Sequence, residues 1–139
     1  MTIVGFNFTK LGAEKKDTAR GKINISNNVT IDNVDEKKIS LANDKQKVLA
    51  FTFNFTSKYD PDIGSINFIG DILLMEEAKQ AKEILDGWKK EKKLPKDIMT
   101  GILNTILNKC NIQALILSEQ VNLPSPIPLP KLQLAQKQE

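Results

Sequence analysis

Residues 93–132, KLPKDIMTGILNTILNKCNIQALILSEQVNLPSPIPLPKL, hold the strongest periodic signal in the chain and end in its least ordinary segment. Pro95 suits the first turn of a helix, where a missing N–H costs nothing and φ is already helical. Downstream, Ile98, Met99, Ile102, Leu103, Ile106, Leu107, Cys110, Ala114 and Leu117 recur at three- and four-residue steps. Asp97, Thr100, Asn104, Thr105, Asn108 and Lys109 fill the opposite face, which makes a long amphipathic helix. The stripe broadens at Ala114-Leu115-Ile116-Leu117, apolar all round. This end of the helix is either buried on two sides or turned toward a partner. Prolines then stand at 124, 126, 128 and 130. Each fixes φ, removes a donor and disfavours α geometry before it, so the segment is expected to be extended, with Leu123, Ile127 and Leu129 as its side-chain cargo. An apolar tail of this kind should pack on its own domain or on a neighbouring subunit.

Upstream the period changes to two. Val4, Phe6 and Phe8 share a face of one strand, and Leu11 to Arg20 reads as a polar connection. Ile23, Ile25, Val29 and Ile31 make a second strand, bent or interrupted at Ser26-Asn27-Asn28, and Ile39 with Leu41 suggests a further short piece. The clearest strand is 47–57, with Leu49, Phe51, Phe53 and Phe55 in one row. Burial of such a side chain is worth roughly 2 kcal/mol, so four in a row demand cover. Lys58 to Gly64 is a turn cluster, and 65–75 alternates again, with Ile66, Phe68, Ile72 and Leu74 on one face. Gly70 interrupts that row, which predicts a bulge or a close backbone approach. Residues 76–92 turn helical, with Ala78, Ala81, Leu85 and Trp88 as a narrow stripe.

The fold class is therefore α+β: an antiparallel sheet of four to five strands, then two C-terminal helices packed on one face, in the order β-β-β-β-α-α, with an extended Pro-rich C-terminal tail. At 139 residues the chain has the length of one domain, expected over 1–132, with a polar and disordered 133–139. No run approaches the ~20 apolar residues of a membrane span. MTIVGFNFTK lacks the basic and apolar regions of a secretory leader, so a cytoplasmic protein is expected.

Most catalytic chemistry lacks its usual residues. There is no histidine and a single cysteine, Cys110, which sits on the apolar stripe. Neither a zinc site nor a Cys–His nucleophile can be assembled within one chain. No Gly-rich phosphate loop appears. The carboxylate pairs Asp60/Asp62 and Glu76/Glu77 have plain explanations in turn chemistry and helix-dipole complementarity. No cofactor is expected, and the chain reads as non-catalytic. Net charge is +3 and almost wholly lysine, since Arg20 is the only arginine. Lysine lacks the bidentate fork that reads bases, so its charge permits loose contact with RNA without specifying sequence.

Four strands, a helix, a short basic linker ending in proline, a long amphipathic helix and an apolar Pro-rich tail resemble the SecB-type export chaperones. The match runs from about residue 20 to 131 and is closest over Leu94 to Pro130. It lacks that family's Cys-Pro and Phe-Pro-Tyr signature before the last helix, and a basic surface replaces an acidic one, so docking to the SecA motor does not carry over. The resemblance implies a homo-oligomer, dimer or tetramer, with apolar grooves for unfolded or extended polypeptide. The residues expected at the grooves or subunit interfaces are Phe51, Phe53, Phe55, Leu115, Ile116, Leu117, Leu123, Ile127 and Leu129. The alternative is an accessory protein of the ribosome or another RNA assembly, held through Lys89, Lys90, Lys92, Lys93 and Lys96.

Overall fold

The computed structural model describes residues 2–18, 21–38 and 45–130. The elements are β1 (Thr2–Lys15), β2 (Asn24–Lys37), β3 (Gln46–Asp60), β4 (Gly64–Glu77), α1 (Ala78–Glu91) and α2 (Lys96–Gln120). All neighbouring strands are antiparallel, in the order β1-β4-β3-β2, a Greek-key arrangement in which three consecutive strands pair as hairpins and the first joins the far side. The central strands β3 and β4 alternate as the sequence predicts. Leu49, Phe51, Phe53 and Phe55 face the helices with Ile66, Phe68, Ile72 and Leu74, every one of them without exposed surface. The positions between them are mostly half-buried, as expected of a sheet face not covered by helix.

The edge strands differ from the sequence reading. β1 continues to Lys15 through the stretch that reads as a polar connection, and β2 is continuous across Ser26-Asn27-Asn28. The irregularities lie elsewhere: register shifts fall at Ile3/Gly5 and Phe8/Lys10 in β1, and at Ile31/Asn33 in β2. Each extra residue inverts the inside–outside parity beyond it. Ile3 consequently packs against the core while Val4 is 41% exposed. The segments expected at Ile39 and Leu41 and at 133–139 lie outside the described residues.

Gly70 marks a close approach, as its interruption of the row suggests. It pairs with Phe53 on one side and Phe8 on the other. A Cβ there would lie 2.7 Å from Cζ of Phe53 and closer still to the backbone oxygen of Asn7. The rings close over the vacant position: Phe53 stacks on Phe6 at 5.3 Å and meets Phe8 edge-on at 6.2 Å, while Phe55 stacks on Phe68 at 5.6 Å. Such aromatic pairs add about 1 kcal/mol each beyond the area they bury.

Ala81, Ile84 and Trp88 anchor α1 to the core. The helix ends at Lys92, in the left-handed conformation, with its N–H donating to Trp88 O and its ammonium 5.3 Å from the indole centroid. In α2 the buried residues are Ile98, Ile102, Ile106, Cys110, Ala114 and Ser118, a row at strict four-residue steps. Rows of this kind are inclined by roughly 26° to the helix axis, so the buried line winds slowly as the helix advances. The apolar block near the end thus divides: Ala114 is buried, Leu117 packs against the core from a half-buried position, and Ile116 is 45% exposed. The helix ends in a Schellman motif. Asn122 adopts φ 57°, Leu123 N–H donates to Ser118 O at 2.8 Å and Asn122 N–H to Glu119 O at 3.2 Å.

Candidate functional site

The Schellman turn sends the chain back over one end of the sheet, where β2 and β3 supply its seat. The β2–β3 register places Ile25 opposite Tyr59 and Asn27 opposite Ser57. The Tyr59 hydroxyl donates to Pro124 O at 2.6 Å, and the Asn27 side-chain amide donates to Pro126 O at 3.1 Å. Ser57 Oγ donates to the other end of that amide, Asn27 Oδ1, which fixes the Asn27 nitrogen toward the tail. Leu123 and Pro126 are buried, Ile127 is half-buried and Leu129 is 49% exposed. Ile25 and residues 124–129 line an open depression of about 510 Å³. Burial pushes the Tyr59 phenol up to about 12, so it stays a neutral donor across the physiological range.

Other apolar side chains are exposed on β1, at the opposite edge of the sheet, and on α2. Of the five exposed large apolar side chains among the described residues, Val4 and Leu11 belong to β1, and Ile112 and Ile116 to α2. Helix α2 packs over β4 and β1. Ile112, at 61% exposed, is the most open.

The residues expected from sequence are thus distributed unevenly. Phe51, Phe53 and Phe55 are fully buried beneath the helices and present no surface of their own. Ile127 and Leu129 line the depression, Leu123 is buried in the core just before it, and Ile116 is exposed on α2 beside half-buried Leu115. Lys89, Lys90, Lys92, Lys93 and Lys96 are all exposed around the α1–α2 connection. Asn27, Ser57 and Tyr59 are the residues sequence reasoning misses. Their partners lie 99, 30 and 65 positions away respectively, beyond any local pattern.

The carboxylate pairs do not converge. Asp60 and Asp62 are both exposed, and Asp62 accepts from Lys16 Nζ at 3.1 Å, a contact that raises the Lys16 pKa. Glu76 is 7% exposed while its neighbour Glu77 is open to solvent, since adjacent strand residues point to opposite faces. Glu76 instead shares a cavity of about 270 Å³ with Gln80, Glu83 and Asp97 between the starts of the two helices. Cys110 is fully buried, and burial pushes its thiol up to about 12, which leaves it an unreactive hydrophobe.

Four antiparallel strands followed by two helices on one face constitute the SecB-like fold. The chain is similar to the SecB-like chaperone Rv1957 of Mycobacterium tuberculosis, a structure solved in complex with a ChAD peptide from the Rv1956 HigA1 antitoxin. The likeness has a TM-score of 0.54 and covers 96% of this chain and 91% of that one, at 13% sequence identity. No protein-family model and no curated protein sequence matches the chain.

Proposed function

We propose that this protein is a non-catalytic, chaperone-like homo-oligomer that holds extended polypeptide in apolar grooves. The observation that carries the reading is the outer edge of β2. Natural edge strands are blunted by charge, proline or bulges, because an open row of N–H and C=O groups recruits other chains. From Asn24 to Ile31 the β2 edge has no charged residue, no proline and no register shift. It meets the depression at Ile25, opposite Ile127 and Leu129 of the tail. An extended client laid along β2 would gain backbone hydrogen bonds from the edge and apolar contacts from Ile25 and the surface that the tail covers, the arrangement of strand-addition recognition. Phe51, Phe53 and Phe55 act beneath it as the rigid floor that fixes the register of β2 and β3.

Self-association draws on the other flank, where Val4, Leu11, Ile112 and Ile116 are exposed, with Leu115 beside them. The likeness to a chaperone solved with a bound peptide supports the same reading at the level of fold. The absence of histidine from the sequence supports a binding role over a catalytic one.

The test is fluorescence anisotropy with a reduced, carboxymethylated protein that cannot refold. Saturable binding at micromolar concentration is expected, with the folded form of the same protein left unbound. Asn28→Lys, which puts a charge at an exposed position of the β2 edge, should weaken that binding at least several-fold while the fold persists. Equal binding of folded and unfolded forms, or none of either, would remove the reading.

A further inference from the structure

The tail is held at the β2–β3 end by a specific grammar. Tyr59 and Asn27 each donate to a main-chain carbonyl, and the two carbonyls, of Pro124 and Pro126, are two residues apart. Two residues is the repeat of an extended chain, on which alternate groups face the same way. Neither donor touches a side-chain polar atom of the tail, so neither discriminates sequence. Ser57 holds the Asn27 amide in the donating orientation. The side chains of the same segment lie against apolar surface, with Pro126 and Leu123 buried. Chemically, residues 123–129 are an extended apolar peptide seated in a site that reads backbone.

We propose that Tyr59 and Asn27, with Ser57 orienting Asn27, form a carbonyl-reading subsite for extended apolar polypeptide, and that the protein's own segment 123–129 is its resident occupant, displaced when a client binds. The proposal rests on the polypeptide-holding reading above and adds its control. The tail lowers the apparent affinity for a client by the fraction of time it leaves the subsite empty. If it is seated about nine-tenths of the time, client binding is weakened about tenfold. Prolines suit a resident occupant, because they pre-set the extended conformation and leave no unpaired N–H at their own positions.

The experiment uses the full chain and a full-length variant carrying Pro126→Asp, Ile127→Asp and Leu129→Asp, which expels the tail while leaving Leu123 and the helix cap intact. Two labelled probes are titrated by anisotropy: a synthetic peptide of residues 121–130 and the reduced, carboxymethylated protein used above. The variant should bind both probes about tenfold more tightly than the unaltered protein, and unlabelled tail peptide should compete with the unfolded probe. Adding Tyr59→Phe to the variant should weaken the tail peptide about three- to tenfold, the worth of one hydrogen bond.

A variant that folds and binds no tail peptide overturns the proposal, as does indifference of the tail peptide to Tyr59→Phe. Equal binding of the unfolded probe with and without the tail overturns the control and leaves the polypeptide-holding reading standing. Tail-peptide binding with no binding of the unfolded probe supports the subsite and removes that reading. Should the triple variant unfold in a thermal melt, Ile127→Asp alone, at a half-buried position, is judged by the same outcomes.

Discussion

Gly70 shows what a single missing side chain does in this core. Its neighbours across the ladder are Phe53 and Phe8, and the nearest fixed atom is the backbone oxygen of Asn7. A methyl group there must displace backbone, so Gly70→Ala is expected to cost about 3 kcal/mol, at the upper end of overpacking effects. At Gly12 the nearest atom to an added Cβ is 3.7 Å away, and Gly12→Ala should be neutral or slightly stabilising. Urea unfolding compares the two directly, the first by a large drop in midpoint at unchanged slope. A second prediction concerns pH. Burial pushes Tyr59 from 10.0 and Cys110 from 9.0 up to about 12. Both groups stay neutral in the folded protein while the unfolded chain ionises at their ordinary values. Their contribution is therefore fully present below about pH 9 and is lost as pH rises toward 12. Unfolding measured across this range should show a steep alkaline decline. Cys110→Ala should delay its onset toward pH 10, where Tyr59 alone begins to titrate.

Among the elements, α2 separates positions that look alike in sequence. Ile106 has no exposed surface and Ile112 is 61% exposed, although both are isoleucines on one helix. Ile106→Ala should destabilise by about 2–5 kcal/mol, and Ile112→Ala by no more than about 0.5 kcal/mol. Chemical denaturation reads both, and a large effect at Ile112 in the isolated protomer would contradict its exposure. The helices and central strands were legible because Leu49 to Phe55 and Ile98 to Leu117 keep an unbroken period, two in one case and near 3.6 in the other. The ends of β1 and β2 were not. Bulges beside Val4, Thr9 and Asp32 shift the parity of edge strands, so Leu11 to Lys15 no longer reads as alternation. The seat of the tail was hidden for a different reason. Asn27 reads as a turn former and Tyr59 as part of a turn cluster, and only the register that sets Asn27 beside Ser57 joins them to Pro124 and Pro126.

For the molecule as a whole, the two edges of the sheet are unequal, and under the proposed function they would take different tasks. β1 carries two register shifts and the lysines Lys10 and Lys15, which spoil its main chain as a template for pairing. What it offers is side chains, the exposed Val4 and Leu11. β2 offers the reverse, a plain backbone edge beside an apolar depression. On the proposed reading, self-association through the first flank would leave the second free for an extended chain. Light scattering at micromolar concentration should give a dimer or tetramer. Leu11→Lys with Ile112→Lys should return it to a monomer with an unchanged melting temperature of the protomer, because both positions are open to solvent. Client binding along β2 should survive in that monomer with a similar affinity per chain. Loss of both properties together would mean that the client site spans two protomers and that the division between the flanks is wrong.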